Sequence, residues 1–327
     1  MALCSVMGQA ATDAGPDQFF TFERPQMGVP FRLQLSTDQG ASHAQSMADQ
    51  VWKRIEQLNH IFSNYQTDSE LSQLGYASGQ GNWTRVSPDL WSLIVRSQEF
   101  SRRSEGAFDL TAGPLTALWR KCRREGVLPP SKALSQAMSK TGWGGLLSMP
   151  EKQSVCLTQP GMRLDPGGIA KGYALDAGIE VLKINGIKHA LLSGGGDMRA
   201  LGGRTTTQAW QIRLAEFDED SAQEVALYPL KDAAVATSGD LFQFVEIDGK
   251  RYSHILDPRT GMGLTLRMLV TVVAPDATTA DATATTLSVM GPELGRLWLE
   301  EQASDCQVRL LWIDEGGDLA RWQSSAF

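Results

Sequence analysis

The chain has 327 residues, of which 42% are apolar and 20% charged, with 32 glycines, 14 prolines and 4 cysteines. These values exclude collagen-like, intrinsically disordered and disulfide-framework proteins, and the length suits one large domain or two closely packed ones. The net charge is −7, from 37 acidic and 30 basic residues, so no overall positive field would attract nucleic acid.

Taken in chain order, apolar periodicity and turn signals predict interleaved helices and strands with frequent hairpins. The predicted strands are 19–23, 31–36, 155–157, 189–193, 210–214, 224–230, 241–247, 250–256, 269–274, 308–313 and 319–323. The predicted helices are 41–62, 87–103, 113–124, 131–140, 168–183 and 278–290. This order favours an α+β fold with mixed sheets and flanking helices over a regular doubly wound sheet. We expect residues 18–327 to form one domain, in which the helix-rich stretch 41–141 is a lobe beside a strand-rich core.

The first 17 residues are predicted to be either a disordered start or a residual export segment. Residues 1–11 lack the basic start and the long apolar run of a complete signal peptide, so such a signal is absent or truncated. Gly8-Gln9-Ala10 nevertheless resembles a small-residue cleavage site, and both alternatives stay open. No apolar run along the chain reaches the roughly 18 residues that a membrane-spanning helix needs.

Two groups of residues are assigned no chemistry at this stage. The four cysteines have no C-x-x-C spacing, so neither a zinc site nor a redox pair is predicted. Arg120, Lys121, Arg123 and Arg124 close the helix predicted at 113–124, where basic residues usually complement the helix dipole or face solvent. We therefore expect these residues to complement the helix dipole or to face solvent.

The first segment that favours chemistry is 163–172, in which Asp165, the pair Gly167-Gly168 and Lys171 surround the start of a predicted helix. Glycines let backbone N–H groups approach an anion, and a helix N-terminus favours negative charge. Lys171 adds a compact positive charge that suits phosphate. The alternative is a tight strand-to-helix turn with a surface lysine.

The second segment, 192–197, follows a predicted strand with three successive glycines and Asp197. It lacks the G-x-G-x-x-G spacing of nicotinamide-binding units, and no suitable helix follows it. The glycines indicate either a close approach of the backbone to a ligand or an ordinary turn.

The third segment combines 236–240 with 253–261, at the two ends of a predicted hairpin. The hairpin brings Ser238, Asp240, His254 and Asp257 towards one region. His254 is the candidate general base near neutral pH. The alternative is a histidine with a structural role.

The fourth segment, 274–285, opens a predicted helix that Thr278 or Thr279 can cap. Asp281 and Thr285 are four residues apart and therefore share one face, with only small residues between them. A carboxylate and a hydroxyl so placed leave room for a cation with a phosphate-bearing ligand. The alternative is an ordinary capped helix with an acidic first turn.

Together and in this order, the four segments resemble the ApbE family of FAD:protein FMN transferases. Three further motifs extend the resemblance upstream: Met27-Gly28-Val29-Pro30, the stretch from Phe62 to Tyr65 with Asp68-Ser69-Glu70, and the segment from Gly106 to Thr111. The similarity spans residues 27–291, and the combination is far more specific than any one motif.

The resemblance implies Mg²⁺-dependent transfer of the FMN moiety of FAD to a Thr or Ser hydroxyl of an acceptor protein, with release of AMP. Mn²⁺ is the alternative metal. Hydrolysis of FAD to FMN and AMP and a non-catalytic FAD-binding module are the alternative functions. The family's usual clients are membrane redox complexes with covalent flavin, which favours a periplasmic or exported enzyme, in solution or associated with the membrane.

The resemblance also assigns residues by position. The residues that correspond to FAD contacts in the family are Met27, Tyr65, Ala107, Phe108, Asp109, Asp165, Lys171 and Ile255. Asp281 and Thr285 match metal ligands, and the carbonyl of Gly168 would be a third. His254 falls where the family has a candidate acid or base for the acceptor hydroxyl, so His254 and Asp281 are the expected catalytic residues.

The sequence departs from the family pattern at three places. Pro166 follows Asp165 and cannot donate a backbone N–H, so one expected phosphate contact is absent. Ser193 stands where asparagine is common before the glycines, and the stretch 261–265 replaces a proline-containing turn. The last change predicts an altered shape for the groove that receives the acceptor.

Overall fold

The computed structural model describes residues 5–6, 18–217, 226–240, 243–325 and 327. Its helices are α1 (Gly40–Phe62), α2 (Glu70–Tyr76), α3 (Pro88–Arg103), α4 (Gly113–Glu125), α5 (Ser131–Met138), α6 (Ala170–Ile184) and α7 (Ala277–Gln302). Its strands are β1 (Ser5–Val6), β2 (Phe19–Gln26), β3 (Val29–Ser36), β4 (Thr84–Arg85), β5 (Leu146–Met149), β6 (Ser154–Leu157), β7 (Ala190–Gly194), β8 (Asp197–Leu201), β9 (Trp210–Arg213), β10 (Leu227–Leu230), β11 (Ala234–Gly239), β12 (Phe244–Ile247), β13 (Lys250–Ser253), β14 (Leu256–Asp257), β15 (Met262–Gly263), β16 (Met268–Ala274), β17 (Gln307–Ile313) and β18 (Leu319–Gln323). The predicted α+β class is confirmed.

An eight-stranded sheet organises the fold, in the order β18-β17-β16-β11-β8-β7-β3-β2. Every neighbouring pair in it is antiparallel. Smaller sheets are formed by β1-β9-β10, β4-β6-β5, β12-β13 and β14-β15. Antiparallel pairing with short hairpins explains why no regular doubly wound sheet forms.

Buried side chains cover both faces of the central sheet. One large cluster joins α1, α6 and α7 to one face, and a smaller one around Trp210 and Ile212 of β9 covers the other. All seven residues of β16 are buried as a result, which agrees with the unbroken apolar run read as a buried strand. Helix α1 buries Met47, Val51 and Ile55 at helical spacing, as predicted.

The start of α7 is held by two aspartates. Asp276 is its N-cap and accepts a hydrogen bond from the N–H of Thr279 at 2.8 Å. Asp176 of α6 accepts the N–H groups of Ala277 and Thr278, both at 2.8 Å. The prediction that Thr278 or Thr279 caps this helix is therefore wrong. The carboxylate of Asp276, directly before the helix, and that of Asp176 from α6 accept the free N–H groups instead.

Helix α7 breaks at the residue where the predicted helix ends. Gly291 has φ +75° and precedes Pro292, so the segment up to Met290 and the segment after it are separate helical runs. Within residues 18–327, the elements α2, β4, β5, β8, β11 and β15 were not predicted. Most of them are short, and the small residues of β11 lack an alternating pattern, so the periodic signals are weak.

The prediction for residues 1–17 lies outside the described residues, except that Ser5–Val6 pair with β9. Parts of the strands predicted at 224–230 and 241–247 also lie outside them. Within the described ranges, none of the helices has the length and apolar character needed to cross a membrane. The division into a helix-rich lobe and a strand-rich core stays a prediction.

Candidate active site

A cavity of about 440 Å³ lies where the start of α6, the β7–β8 turn, the end of β11, α4 and α7 converge. Its lining consists of Val29, Tyr65, Ala107, Phe108, Asp109, Ala112, Thr116, Trp119, Arg120, Arg123, Asp165, Gly167, Gly168, Lys171, Gly195, Asp197, Thr237, Ser238, Gly239, Gln243, His254, Ile255, Leu256, Pro258, Asp281, Thr285 and Val289. Parts of all four chemistry-bearing segments of the sequence therefore meet here. The volume falls in the range of small-molecule sites, about 300–1,000 Å³.

Lys171 lies between two buried carboxylates in this cavity. Its Nζ atom is 2.7 Å from Oδ2 of Asp197 and 3.3 Å from both carboxylate oxygens of Asp281. Burial opposes the charge on Lys171, but the two carboxylates outweigh it and raise the pKa of the ammonium group. Burial raises the pKa of Asp197, and the nearby Asp281 adds to the rise, although Lys171 opposes it. Lys171 is therefore a charged side chain inside the cavity and not a surface lysine.

Asp281 is fixed from two directions by the start of α6. Besides Lys171, the backbone N–H of Gly172 donates to Oδ2 of Asp281 at 3.1 Å. A Cβ at position 172 would lie 2.1 Å from the carbonyl oxygen of Ala277, so only glycine allows the two helices to approach this closely. The carboxylate is 3% exposed and its direction is set by the backbone.

Thr285 and Gly168, each of which carries an oxygen donor, line the cavity together with Asp281. Thr285 lies one helical turn further along α7, and a Cβ on Gly168 would come within 2.9 Å of its Oγ1 atom. The absence of a side chain at Gly168 thus keeps that side of Thr285 accessible. A carboxylate, a hydroxyl and a carbonyl are the hard ligands that Mg²⁺ prefers. The described residues contain no group of three His, Cys, Asp or Glu side chains suited to a metal, so a cation here would take its remaining ligands from a bound molecule.

Asp165 is held by hydrogen bonds from α4 and from its own turn. Its Oδ2 atom accepts from Arg120 at 2.7 Å and from Thr116, and its Oδ1 atom accepts the N–H of Gly167 at 3.0 Å. Pro166 lacks an N–H, but its carbonyl oxygen accepts the N–H of Ala170 at 2.9 Å and helps to start α6. The glycine pair is thus both a helix start and part of the cavity wall.

The expectation of a solvated basic helix end is wrong for two of its four residues. Arg120 and Arg123 are half-buried and line the cavity, whereas Lys121 and Arg124 are exposed. Residues three apart share a helix face, but nothing in the sequence indicates which face of α4 borders the cavity. The Arg120 guanidinium also stacks 4.6 Å from the ring centroid of Tyr65, which is itself 77% exposed.

The loop before α4 brings Ala107, Phe108 and Asp109 to the cavity wall. The N–H of Phe108 donates to Oγ of Ser104 at 3.0 Å, and Oδ1 of Asp109 accepts from the N–H and the hydroxyl of Thr111, both at 2.7 Å. Burial raises the pKa of Asp109. Its carboxylate therefore holds the loop in shape as well as facing the cavity.

His254 presents one ring nitrogen to the cavity. Its Nδ1 atom lies 3.2 Å from the carbonyl oxygen of Gln243, which can only accept, so Nδ1 carries the proton and Nε2 is the free acceptor. The ring is accessible from the cavity but closely surrounded by protein. Its pKa is lowered to about 4, chiefly by burial and in smaller part by the positive charges of Arg123 and Lys171, while the hydrogen bond to Gln243 opposes the shift. The ring is neutral near pH 7, as a general base requires.

The other members of the third segment divide between the cavity and the surrounding framework. Ser238 and Ile255 line the cavity. Asp240 instead pairs with Arg251 at 2.7 Å, and Asp257 pairs with Arg259 at 2.9 Å. Only half of the four polar side chains grouped by sequence therefore reach the site, because Arg251 of β13 and Arg259 of the β14–β15 turn pair with the other two.

Two predicted features lie beside the cavity. Met27 has φ +50° in the β2–β3 turn and packs against the core, while Val29 from the same turn lines the cavity. The hydroxyl of Ser193 donates to the carbonyl of Arg32 at 3.3 Å. The serine that replaces the family's asparagine thus has a hydrogen-bond partner in the neighbouring strand β3. Met27 as an FAD contact stays a prediction.

Several cavity residues had no role in the sequence interpretation. Asp197, Thr237, Trp119, Arg120 and Arg123 all line it. Asp197 follows the two-residue turn of Gly195 (φ +62°) and Gly196 (φ +100°), which sends the chain straight back as β8. An aspartate directly after a glycine hairpin at a strand end was the available signal.

Comparison with known proteins agrees with this geometry. A profile of the ApbE family matches residues 27–310. A Vibrio cholerae FAD:protein FMN transferase is 30% identical over 333 residues, covering 100% of this chain and 97% of the relative. One from Klebsiella pneumoniae is 27% identical, covering 99% and 93%.

Solved structures show the same similarity. The flavin transferase ApbE from Vibrio cholerae has a TM-score of 0.86 at 28% identity, covering 95% of this chain and 99% of that one. The ApbE protein from Thermotoga maritima has a TM-score of 0.82 at 30% identity, covering 95% and 98%. With the profile match spanning most of its length, the chain belongs to the ApbE family.

Proposed function

We propose that this enzyme transfers the FMN moiety of FAD to a Thr or Ser hydroxyl of an acceptor protein and releases AMP, with Mg²⁺ as the bound cation. The observation that carries the proposal is one cavity that combines residues with oxygen donors, a part-buried lysine between two carboxylates, and a histidine whose Nδ1 atom is bound to a backbone carbonyl. Relatives along the whole chain are named FAD:protein FMN transferase, which supports the same activity.

The residues present fit a hard divalent cation. Asp281, Thr285 and the carbonyl of Gly168 would hold it, because all three donors are oxygens and no side chain at Gly168 fills the space beside Thr285. When bound, Mg²⁺ or Mn²⁺ would neutralise charge on the phosphates of the substrate and hold them in place. Lys171 supplies a second positive charge that two carboxylates keep fixed.

His254 is proposed to accept the proton of the acceptor hydroxyl. As the hydroxyl oxygen forms its bond to the phosphorus of the FMN half, the bond from that phosphorus to the bridging oxygen breaks. AMP leaves with the electron pair of the broken bond, and the hydroxyl proton moves to Nε2 of His254. The hydrogen bond from Nδ1 to Gln243 holds the ring in the tautomer that this step needs.

Aromatic rings at the cavity suit the flat parts of FAD. Tyr65 is largely exposed at the rim and carries Arg120 against its ring, and Phe108 lines the wall. Ring systems stack on such faces. Tyr65, Ala107, Phe108, Asp109, Asp165, Lys171 and Ile255, which the family resemblance assigns to FAD, all line this one cavity, as expected for a shared ligand.

The acceptor is proposed to be a subunit of a membrane redox complex, and the enzyme to act in the periplasm or another exported location. The family's usual clients support both points. Fractionation of cells that express the full gene, followed by immunodetection, tests the location, and recovery in the cytoplasmic fraction would contradict it.

The decisive experiment mixes the enzyme with FAD, Mg²⁺ and an acceptor domain that carries a Ser/Thr-Gly-Ala-Thr-like segment. Mass spectrometry should show the acceptor gaining one FMN moiety, and chromatography should show AMP in equal amount. Release of free FMN with or without acceptor would support hydrolysis. FAD binding with neither product would support a binding module and overturn the proposal. Replacing Mg²⁺ with EDTA, and then with Mn²⁺, tests the metal.

A further inference from the structure

The positive charges of the cavity differ in how they are paired. Lys171 lies between Asp197 and Asp281, and Arg120 pairs with Asp165 at 2.7 Å. Arg123 lines the same cavity but forms no ion pair or side-chain hydrogen bond among the residues that the structure describes. It is thus a half-buried cation that faces the substrate cavity without a carboxylate from the described protein.

A structural role at the helix end does not account for this placement. Arg123 is in the last turn of α4, where a basic residue complements the helix dipole. The neighbouring Arg124 provides that charge from an exposed position. Burial lowers the pKa of Arg123, and no acidic group among the described residues opposes the shift. A guanidinium taken partly out of water without a partner is unfavourable unless an anion binds to it.

Arg123, Lys171 and His254 all line this one cavity. The charges of Arg123 and Lys171 both lower the pKa of His254, so both cations lie within electrostatic reach of the candidate base. A group that sits between them meets positive charge from α4 as well as from α6. The phosphates of a dinucleotide undergoing transfer near His254 have that requirement.

We propose that Arg123 binds the phosphate of the AMP half of FAD and stabilises it as the leaving group, an inference that rests on the proposed function. FAD carries one negative charge on each phosphate. When the acceptor oxygen bonds to the FMN phosphorus and the bridging bond breaks, the FMN phosphate keeps one charge and AMP leaves with two. The hydroxyl proton goes to His254. The additional negative charge therefore develops on the AMP phosphate, where a planar guanidinium can bind two oxygens at once.

The test compares Arg123→Gln, Arg123→Lys and the matched control Arg124→Gln, which removes an exposed charge one residue away. Each protein is titrated with AMP and with riboflavin in the presence of Mg²⁺, and transfer is measured with saturating acceptor. We expect Arg123→Gln to weaken AMP binding about tenfold or more and to lower kcat about 100-fold, the magnitude found when one transition-state donor is removed. Riboflavin, which has no phosphate, should bind unchanged.

Arg123→Lys should recover part of both losses, and Arg124→Gln should match the wild type. Equal AMP affinity in Arg123→Gln and Arg124→Gln would overturn the inference, as would a loss confined to the KM of the acceptor. If Arg123→Gln has a lower melting temperature, it is compared with Arg123→Lys, which keeps the charge, so that a loss of stability is not mistaken for a loss of binding. If the wild type binds AMP but transfers no FMN, the proposed function fails, while the AMP titration still decides the role of Arg123.

Discussion

The Nζ atom of Lys171 lies 3.3 Å from both carboxylate oxygens of Asp281. The ammonium group of Lys171 thus offsets the negative charge of Asp281, the residue that is proposed to bind the cation. A metal ion at the proposed site would draw on the same carboxylate as the ammonium group, so the two positive charges would be coupled. The contact also gives the Asp281 carboxylate, on a residue that is 3% exposed, a positive partner within the protein.

Lys171→Met should destabilise the protein and increase its response to Mg²⁺. Removing the ammonium leaves two buried carboxylates close together, which should lower the free energy of unfolding by about 3 kcal/mol. Added Mg²⁺ should recover more stability in this variant than in the wild type, because Asp281 no longer pairs with lysine. Thermal unfolding with and without Mg²⁺ measures both effects. Lys183→Met, on an exposed part of α6, is the control. Equal Mg²⁺ stabilisation in the variant and the wild type would contradict the coupling.

Asp281→Asn should remove the metal response and nearly all transfer. The amide keeps the size of the side chain but lacks the charge that attracts a divalent cation, so we expect kcat to fall at least about 100-fold. Isothermal titration with Mg²⁺ and FAD gives the binding constants separately. Glu301→Gln replaces an exposed carboxylate of the same helix and should behave as the wild type. Retained Mg²⁺-dependent transfer in Asp281→Asn would place the metal elsewhere.

Gly168→Ala should weaken cation binding while the fold persists. The new Cβ would lie 2.9 Å from Oγ1 and Cγ2 of Thr285, so the hydroxyl must move from its place. We expect Mg²⁺ affinity to fall about tenfold, as for other disturbances of groups around a metal. Gly144→Ala is the matched control, since nothing lies within 4 Å of its added Cβ. Unchanged Mg²⁺ affinity in Gly168→Ala would remove Thr285 from the proposed ligand set.

Asp176→Ala should destabilise α7 and, through it, the metal site. It removes the acceptor for two free N–H groups at the helix start and leaves Arg199 without its partner at 3.2 Å. Loss of one capping side chain costs about 1–2 kcal/mol of unfolding free energy. Chemical denaturation measures the loss, with Glu180→Gln on the exposed side of α6 as the control. A change as small as that of the control would show that Asp276 caps the helix alone.

The pH profile of transfer should reflect the lowered pKa of His254. Burial holds this pKa below its usual 6.5, at about 4. The native state therefore binds fewer protons than the unfolded state between the two values. The contribution of His254 to stability is complete above pH 6.5 and is lost as the pH falls towards 4.

The ring of His254 should likewise stay neutral, and so able to act as the general base of the transfer, at pH values somewhat below 6.5. NMR titration of the ring proton of His254, together with kcat/KM from pH 4.5 to 8, checks the prediction. His254→Gln should lower kcat about 100-fold, within the range for general-base catalysis, while His60→Gln on the exposed side of α1 should not. A His254 pKa at or above 6.5 would contradict the environment described.

The sequence allowed much of the site to be predicted because its residues lie in local patterns. Asp281 and Thr285 share a helix face by spacing, and Lys171 opens a helix after two glycines. Such patterns determine which helix face or which helix end a residue occupies, even when the element that packs against the helix is unknown. Arg120 and Arg123 could not be assigned because α4 carries basic residues on two faces, and only the packing of α4 against β14 and β15 decides which one faces the cavity.

The same limit explains the errors in the third and fourth segments. Asp240 and Asp257 pair with arginines on two different hairpins, and Asp176 reaches the start of α7 from 101 residues upstream. Side-chain partners of this kind depend on which elements are neighbours in space. The strand β11 was missed because its small residues lack an alternating pattern, although it is central in the sheet.

The early part of α6 is attached to α7 at two levels. Lys171 and Gly172 contact Asp281, Gly172 lies against Ala277, and Asp176 holds the first N–H groups of α7. An insertion or deletion of one residue between positions 172 and 176 would rotate one contact by about 100° relative to the other. This stretch should therefore tolerate many substitutions of its outward side chains but no change of length. The spacing between positions 172 and 176 is thus more constrained by the site than the identity of the residues between them.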